Sequence, residues 1–156
     1  MTIIDTSSKV EHQIEITPIE DVDYKVLTKS RYFFDWEVEH EYEVYKLQIV
    51  GSSEILGLIS LERIPNEWRV HIRLLTVSKE NKGEGKKYDK IAGNLIAFSA
   101  KIAVNEYAEY ACVSLRPKSQ IAEHYICKYN MIPTGMTLSI EVPEILNLIN
   151  LYDHGK

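Results

Sequence analysis

From Glu43 onward apolar residues recur at every second position. Tyr45, Leu47 and Ile49 share one face of a strand, Gly51, Ser52 and Ser53 supply a turn, and residues 55–61 form a second run with strand character. Pro65, Asn66 and Glu67 make the next turn. Trp68, Val70, Ile72 and Leu74 then alternate with Arg69, His71, Arg73 and Leu75, which predicts a third strand ending near Val77. Connections this short make the three strands sequential antiparallel neighbours. After Ser78 the period lengthens: Tyr88, Ile91, Leu95, Phe98 and Ile102 line one face of a helix over about residues 85–104. A short apolar strand follows at residues 111–115. Strand, loop, helix and strand over residues 68–115 read as a crossover that joins parallel strands with a right-handed connection.

The flanks carry weaker signals. Residues 13–16 read as a strand, followed by a helix from about Glu20 toward Thr28. Between Arg31 and Glu43 the aromatics Tyr32, Phe33, Phe34 and Trp36 mix with five acids. Two readings are open there: a solvated acidic face anchored by buried aromatics, or an acceptor-binding flap that attracts a cationic substrate. Residues 119–129 predict a second helix with Ser119 as N-cap and Ile121 and Tyr125 on one face. Residues 136–142 alternate as a last strand. Ile145, Leu148, Ile149 and Tyr152 recur at helical spacing over residues 144–152. The fold class is α+β: a mixed, mostly antiparallel sheet with one parallel β-α-β crossover and helices on both faces.

The chain has 156 residues and a mass of 18.0 kDa, which fits one domain spanning residues 1–156. With 45% apolar and 26% charged residues it has the composition of a folded, soluble protein. No apolar run approaches the roughly 18 residues needed to cross a bilayer, and residues 1–10 lack the apolar stretch of a signal peptide. The expected location is cytoplasmic, with no membrane partner. Cys112 and Cys127 are expected to be free thiols. The net charge of −5 is unevenly spread: residues 1–70 carry 7 basic against 14 acidic side chains, and the remainder carries 11 against 9. This balance lacks the broad basic footprint of a nucleic-acid-binding protein. It leaves room for a local cluster of Lys around a small anion.

Such a cluster occurs between the third strand and the long helix. Lys79, Lys82, Lys86, Lys87 and Lys90 surround Gly83, Glu84 and Gly85. A glycine-containing loop that opens a helix presents unpaired N–H groups, and the helix dipole adds positive potential at the same end. That combination suits phosphate; a hydrated loop with Lys for solubility is the alternative. Gly83-Glu84-Gly85 is not a dinucleotide fingerprint, and no Gly-Lys-Ser/Thr is present for a P-loop.

Leu75-Thr76-Val77, then Lys82-Gly83-Glu84-Gly85, then the long helix, resembles the acyl-CoA loop of the GNAT superfamily of N-acetyltransferases, whose pattern is Arg/Gln-x-x-Gly-x-Gly/Ala. Lys82 stands at the Arg/Gln, Gly85 at the first Gly and Lys87 at the second small residue. The stretch from Ala122 to Met131 is similar to the family's Ala-x-x-Phe-Tyr-x-x-x-Gly-Phe segment, with Tyr125 at the Phe, Ile126 at the Tyr and Asn130-Met131 at the Gly-Phe. The resemblance covers residues 43–142.

The resemblance implies acetyl-CoA as cosubstrate and direct transfer of its acetyl group to a primary amine in a ternary complex. Leu75, Thr76 and Val77 would meet the pantetheine. Lys82, Gly83, Glu84, Gly85, Lys86 and Lys87 would meet the diphosphate. Arg116 and Lys118, after the parallel strand, are further candidates for phosphate or substrate. His71 stands where several family members carry an acidic base, and its ordinary pKa near 6.5 suits that task; Glu62 and Glu67 are weaker alternatives. Tyr125 is the candidate acid for the departing thiolate, in place of the family Tyr at position 126. The acidic N-terminal half favours a cationic acceptor. A homodimer is compatible with the resemblance alone. Two readings compete with the enzyme: a catalytically silent domain serving as a CoA-binding sensor or interaction module, and a structural partner that uses exposed aromatics at Tyr32 to Trp36. No metal is expected, because His124 and Cys127 supply two ligands where zinc needs three or four. As a nucleophile pair they lack an orienting third group.

Overall fold

The computed structural model describes residues 1–117, 122–134 and 136–153. Nine strands form one sheet: β1 (Thr2–Asp5), β2 (Glu11–Pro18), β3 (Glu43–Ile49), β4 (Gly57–Ile64), β5 (Arg69–Val77), β6 (Tyr88–Asp89), β7 (Cys112–Leu115), β8 (Ile132–Thr134) and β9 (Thr137–Glu141). Their spatial order is β6-β1-β2-β3-β4-β5-β7-β9-β8. Every pairing is antiparallel except β5 with β7. Four α-helices accompany the sheet: α1 (Lys29–Tyr32), α2 (Ile91–Tyr107), α3 (Ala122–Tyr129) and α4 (Glu144–Asp153). Helix α2 is the crossover between the parallel strands, as its spacing predicts.

Two apolar clusters lie on the two faces of the sheet. The larger joins Leu47, Ile59, Val70, Ile72 and Val113 to Leu95, Ile96, Ala97 and Ala100 of α2 and to Ile145, Leu148 and Tyr152 of α4. Alanines at 97, 100 and 103 let α2 lie close to the strands, and all three are fully buried. The smaller cluster joins Val44 and Leu58 to Leu27, Tyr32 and Trp36 of the segment between β2 and β3. Tyr32 donates to the Ile55 carbonyl at 2.7 Å and the Trp36 indole to the Tyr32 carbonyl at 3.1 Å. These aromatics are therefore anchors beneath an acidic surface, and the exposed aromatic interface is corrected: Tyr32 and Trp36 are each 1% exposed.

Three further expectations shift. The segment after Glu20 is a 3-10 turn, Asp21–Val26, rather than an α-helix. Strands β1 and β8 carry no alternation of their own and exist through pairing, β1 with both β2 and β6, and β8 with β9. The long helix begins at Ile91 instead of Gly85, because Tyr88 and Asp89 pair with Asp5 and Ile4 as strand. Ser119 and Ile121 lie outside the described residues.

Candidate functional site

The third strand breaks its own alternation. Ser60 faces Leu74 while the next residue, Leu61, faces Ile72, so Arg73 is an extra residue: a β-bulge. A one-residue slip exchanges the faces beyond it. Val70, Ile72, Leu75 and Val77 meet the larger cluster, whereas Leu74, expected beside Ile72, packs on the opposite face. The same position ends the parallel pairing. Strands β5 and β7 match from Arg69↔Cys112 to Ile72↔Leu115, and beyond the bulge β5 runs on without β7. The result is a fork in the sheet.

Main-chain polarity in the fork follows from one bond. The Ser78 N–H donates to the Leu56 carbonyl at 2.9 Å, so Ser78, and with it Thr76 and Leu74 at alternate positions, turns its main-chain groups toward β4. Those of Leu75 and Val77 turn into the fork. There the Val77 carbonyl accepts from the Thr76 hydroxyl at 3.0 Å. Among the described residues the Leu75 main chain has no other partner on that side.

The loop that follows is more closed than the sequence implies. The Lys82 amide donates to the Lys79 carbonyl and that of Lys87 to the Glu80 carbonyl. The Tyr88 amide donates to Asn81 Oδ1 at 2.8 Å, and Thr6 takes up the carbonyls of Lys86 and Lys87 through its hydroxyl. The amides of Gly83, Glu84, Gly85 and Lys86 remain without partners among the described residues, and a Cβ at Gly83 or Gly85 would meet nothing within 4 Å. Gly83 has φ +82°, the left-handed region that glycine enters without cost.

The expected continuity of this cradle with the helix N-terminus does not hold. Asp89 accepts from the Lys90 amide at 2.8 Å and pairs with Lys86 at 3.0 Å, so a carboxylate of the chain itself occupies the start of α2. Burial raises the Asp89 pKa, but Lys86 and the Lys90 amide outweigh it and hold the group below its ordinary range. Lys82 lies 4.3 Å from the Phe33 ring centre and Lys87 5.5 Å from that of Tyr88. Arg31 of α1 pairs with both Glu54 and Glu80 at 2.5 Å, tying the loop to the other face. Clefts of about 420 Å³ flank Glu80, one lined by Ser30, Arg31 and Lys79 and the other including Glu54, Asn81, Lys87 and Tyr88. Neither includes a residue of the fork.

On the face of β5 away from α2 the charges converge. His71 stands opposite Ser114 of β7, one residue before the fork opens, and opposite Glu62 of β4. Its Nδ1 lies 2.8 Å from Ser114 Oγ, and Arg69 Nη1 donates to the same Oγ at 2.8 Å. Burial lowers the His71 pKa, Arg69 and Arg73 lower it further, and Glu62 opposes them. Glu67, the other weak candidate for a base, is paired with Arg69. Sequence reasoning missed Glu39. It is 3% exposed, accepts from Ser60 Oγ and Arg73 Nε at 2.8 Å each, and so fastens the bulge to the 3-10 turn Trp36–Glu39. Arg73 also lies 3.7 Å from the centre of the Tyr42 ring.

Tyr125 is half-buried against the larger cluster, and burial raises its pKa. Its ring centroid is 5.9 Å from that of Tyr129, and the structure does not bring it together with His71 by any hydrogen bond. Arg116 reaches Met136 Sδ at 3.7 Å, and Lys118 lies outside the described residues. Cys112 and Cys127 are free thiols; Cys127 donates to Glu123 at 3.5 Å. Among the described residues no helix is long and apolar enough to cross a membrane.

No protein-family model matches the sequence, and no curated protein matches it. Solved structures do. A chimeric spermidine N-acetyltransferase from Vibrio cholerae superposes with a TM-score of 0.64 at 12% identity, over 86% of this chain and 99% of that one. The ribosomal-protein-S18-alanine N-acetyltransferase of Escherichia coli gives 0.62 at 8% identity, over 83% and 94%. A GNAT family acetyltransferase from Elizabethkingia anophelis, solved with acetyl-CoA bound, gives 0.59 at 16% identity, over 83% and 99%. The chain has the GNAT acyl-CoA N-acyltransferase fold.

Proposed function

We propose that this protein is an N-acyltransferase that carries an acetyl group from acetyl-CoA to a primary amine by direct attack within a ternary complex. The observation that carries the reading is the fork: the bulge at Arg73 and the end of β5–β7 pairing at Ile72 and Leu115 leave Leu75 main-chain groups open where a pantetheine arm needs amide partners. The residues present fit the coenzyme. Gly83, Glu84, Gly85 and Lys86 offer four consecutive amides to a diphosphate, with Lys79, Lys82 and Lys87 beside them. Arg116 is a further phosphate or substrate contact.

In the reaction the amine lone pair attacks the thioester carbonyl carbon, the C–N bond forms, the C–S bond breaks, and the proton given up by nitrogen ends on sulfur. The chain's task is to admit an uncharged amine, hold the carbonyl and exclude water. His71 lies on the polar face one residue before the pairing with β7 ends. Tyr125 remains the candidate for the proton that reaches sulfur, from a half-buried position with its hydroxyl kept neutral. Glu39 and Glu62 place carboxylates on the same face, which suits a cationic acceptor.

A second reading, a CoA-binding domain without turnover, is favoured by the internally bonded amides of Lys82, Lys87 and Tyr88 and by Ile126 at the family's Tyr. Titration calorimetry with acetyl-CoA, followed by thiol release over a panel of amines, decides. The expected outcome is saturable binding with amine-dependent release of free thiol. Binding without release selects the silent domain, and no binding at millimolar ligand rejects both.

A further inference from the structure

The hydrogen bonds around His71 assign its proton. Arg69 has no acceptor lone pair, so its Nη1 donates, and it reaches both Ser114 Oγ at 2.8 Å and His71 Nδ1 at 3.5 Å. Ser114 is fully buried, and its Oγ lies 2.8 Å from the same Nδ1. One arrangement satisfies all three contacts: Arg69 donates to Ser114 and to His71, and the Ser114 hydroxyl donates to His71 Nδ1. The reverse arrangement, with Nδ1 protonated, aims an Arg N–H at another N–H. It also leaves the buried Ser114 hydroxyl proton without an acceptor among the described residues. Nδ1 therefore carries the lone pair and Nε2 carries the hydrogen.

We infer that His71 acts as a neutral hydrogen-bond donor rather than as the base: its Nε2–H, one residue short of the fork, polarises the thioester carbonyl, and Ser114 and Arg69 are the positioning residues that hold this tautomer. The inference rests on the acyl-transfer reading above. It replaces the role that the sequence suggests for His71, because an imidazole whose only lone pair is engaged by Ser114 and Arg69 cannot take a proton from an amine. During attack the carbonyl π electrons move to oxygen, and the Nε2–H bonds to that oxyanion without transferring its proton. When the C–S bond breaks they return, and the amine proton finishes on sulfur. The charged groups facing the ring agree with a neutral imidazole. Arg69 and Arg73 on β5 disfavour the cation, and Glu62 across on β4 is the lone opposing charge among the groups that perturb it. Ser114 on β7 is uncharged.

The test reads the tautomer and the chemistry separately. In a long-range proton–nitrogen NMR spectrum of the uniformly labelled full chain near pH 7, His71 should show a protonated Nε2 and an unprotonated Nδ1; the opposite pattern overturns the inference. Glutamine places an amide N–H close to the position of Nε2–H but cannot serve as a base. His71→Ala should lower kcat about a hundredfold, and His71→Gln should recover all but about tenfold of the wild-type rate. Equal losses in the two variants overturn the donor role. Ser114→Ala should lower kcat about tenfold with the acetyl-CoA KM unchanged, while its spectrum shows both tautomers. With an arylamine acceptor, neutral down to about pH 5, the rate should show no acid limb at the pH where the NMR signal of His71 titrates; a limb at that pH identifies a base. Thiol release with Nδ1 protonated rejects the donor role alone. The expected tautomer without thiol release rejects the acyl-transfer reading and the donor role together.

Discussion

Glu39 shows how much a single side chain depends on its neighbours. Burial alone pushes its pKa up, yet the hydrogen bonds from Arg73 and Ser60 outweigh burial and hold it below the usual range. The sign follows for stability. A carboxylate with a depressed folded pKa contributes fully above its unfolded value of about 4.3 and loses that contribution as pH falls through the folded value. Glu39→Gln should therefore cost about 2 kcal/mol at pH 7. The gap to the wild type should narrow steadily below about pH 5, read as the difference in urea midpoints; a gap independent of pH would mean the carboxylate charge contributes nothing. Nothing in the sequence singles Glu39 out from Glu37 or Glu41, since what distinguishes it is a strand residue 21 positions away and another 34 away. His71 was legible as the one histidine among the polar positions of a strand. Ser114 was not, because its meaning is its register opposite His71.

At the scale of elements, the helix α2 carries a glycine where alanine would favour helix by about 1 kcal/mol. Gly93 is kept small by packing: a Cβ there would lie 1.9 Å from the Tyr152 hydroxyl and 2.1 Å from its ring. Tyr152 comes from α4 and is 9% exposed, so it cannot move aside without lifting the last helix. Gly93→Ala should destabilise the protein by about 2 kcal/mol despite its better helix propensity. In the Gly93→Ala, Tyr152→Ala double variant the two losses should fall short of additive by at least about 1 kcal/mol, measured by chemical denaturation. Additive losses would place the strain elsewhere. Strand β5 teaches the complementary lesson. Its alternation predicts a regular strand through Leu75, and the bulge at Arg73 was hidden because it is a relation between β4 and β5, held by Glu39. The fork that suits a coenzyme begins at that irregularity.

Across the whole molecule, the first residues of the chain hold the loop that would meet the diphosphate. Ile4 and Asp5 pair with Asp89 and Tyr88, Thr6 donates to the carbonyls of Lys86 and Lys87 at 2.7 and 3.1 Å, and the Thr2 carbonyl accepts from Asn94 of α2 at 2.9 Å. The substitution Thr6→Val removes the hydroxyl and keeps the shape. It should weaken acetyl-CoA binding by roughly fivefold, from the loss of about 1 kcal/mol of loop order. It should also speed amide hydrogen exchange at Lys87 and Tyr88. Unchanged exchange would show that β1–β6 pairing suffices to hold the loop.

The strands β3 to β5, the parallel crossover through α2 to β7 and the strand β9 were written in the periodicity, since apolar spacing reports burial whatever the partner; β6 and β8 were not. The cluster of Lys around Gly83 and Gly85 was equally plain. Where helix α2 starts, which loop amides stay open, where β5 bulges and which nitrogen of His71 carries the proton were decided by contacts between residues 7 to 92 positions apart. A one-dimensional pattern records how often a position is buried. It holds no record of which hydrogen-bond partner arrives there, and the chemistry proposed for the fork depends on those partners.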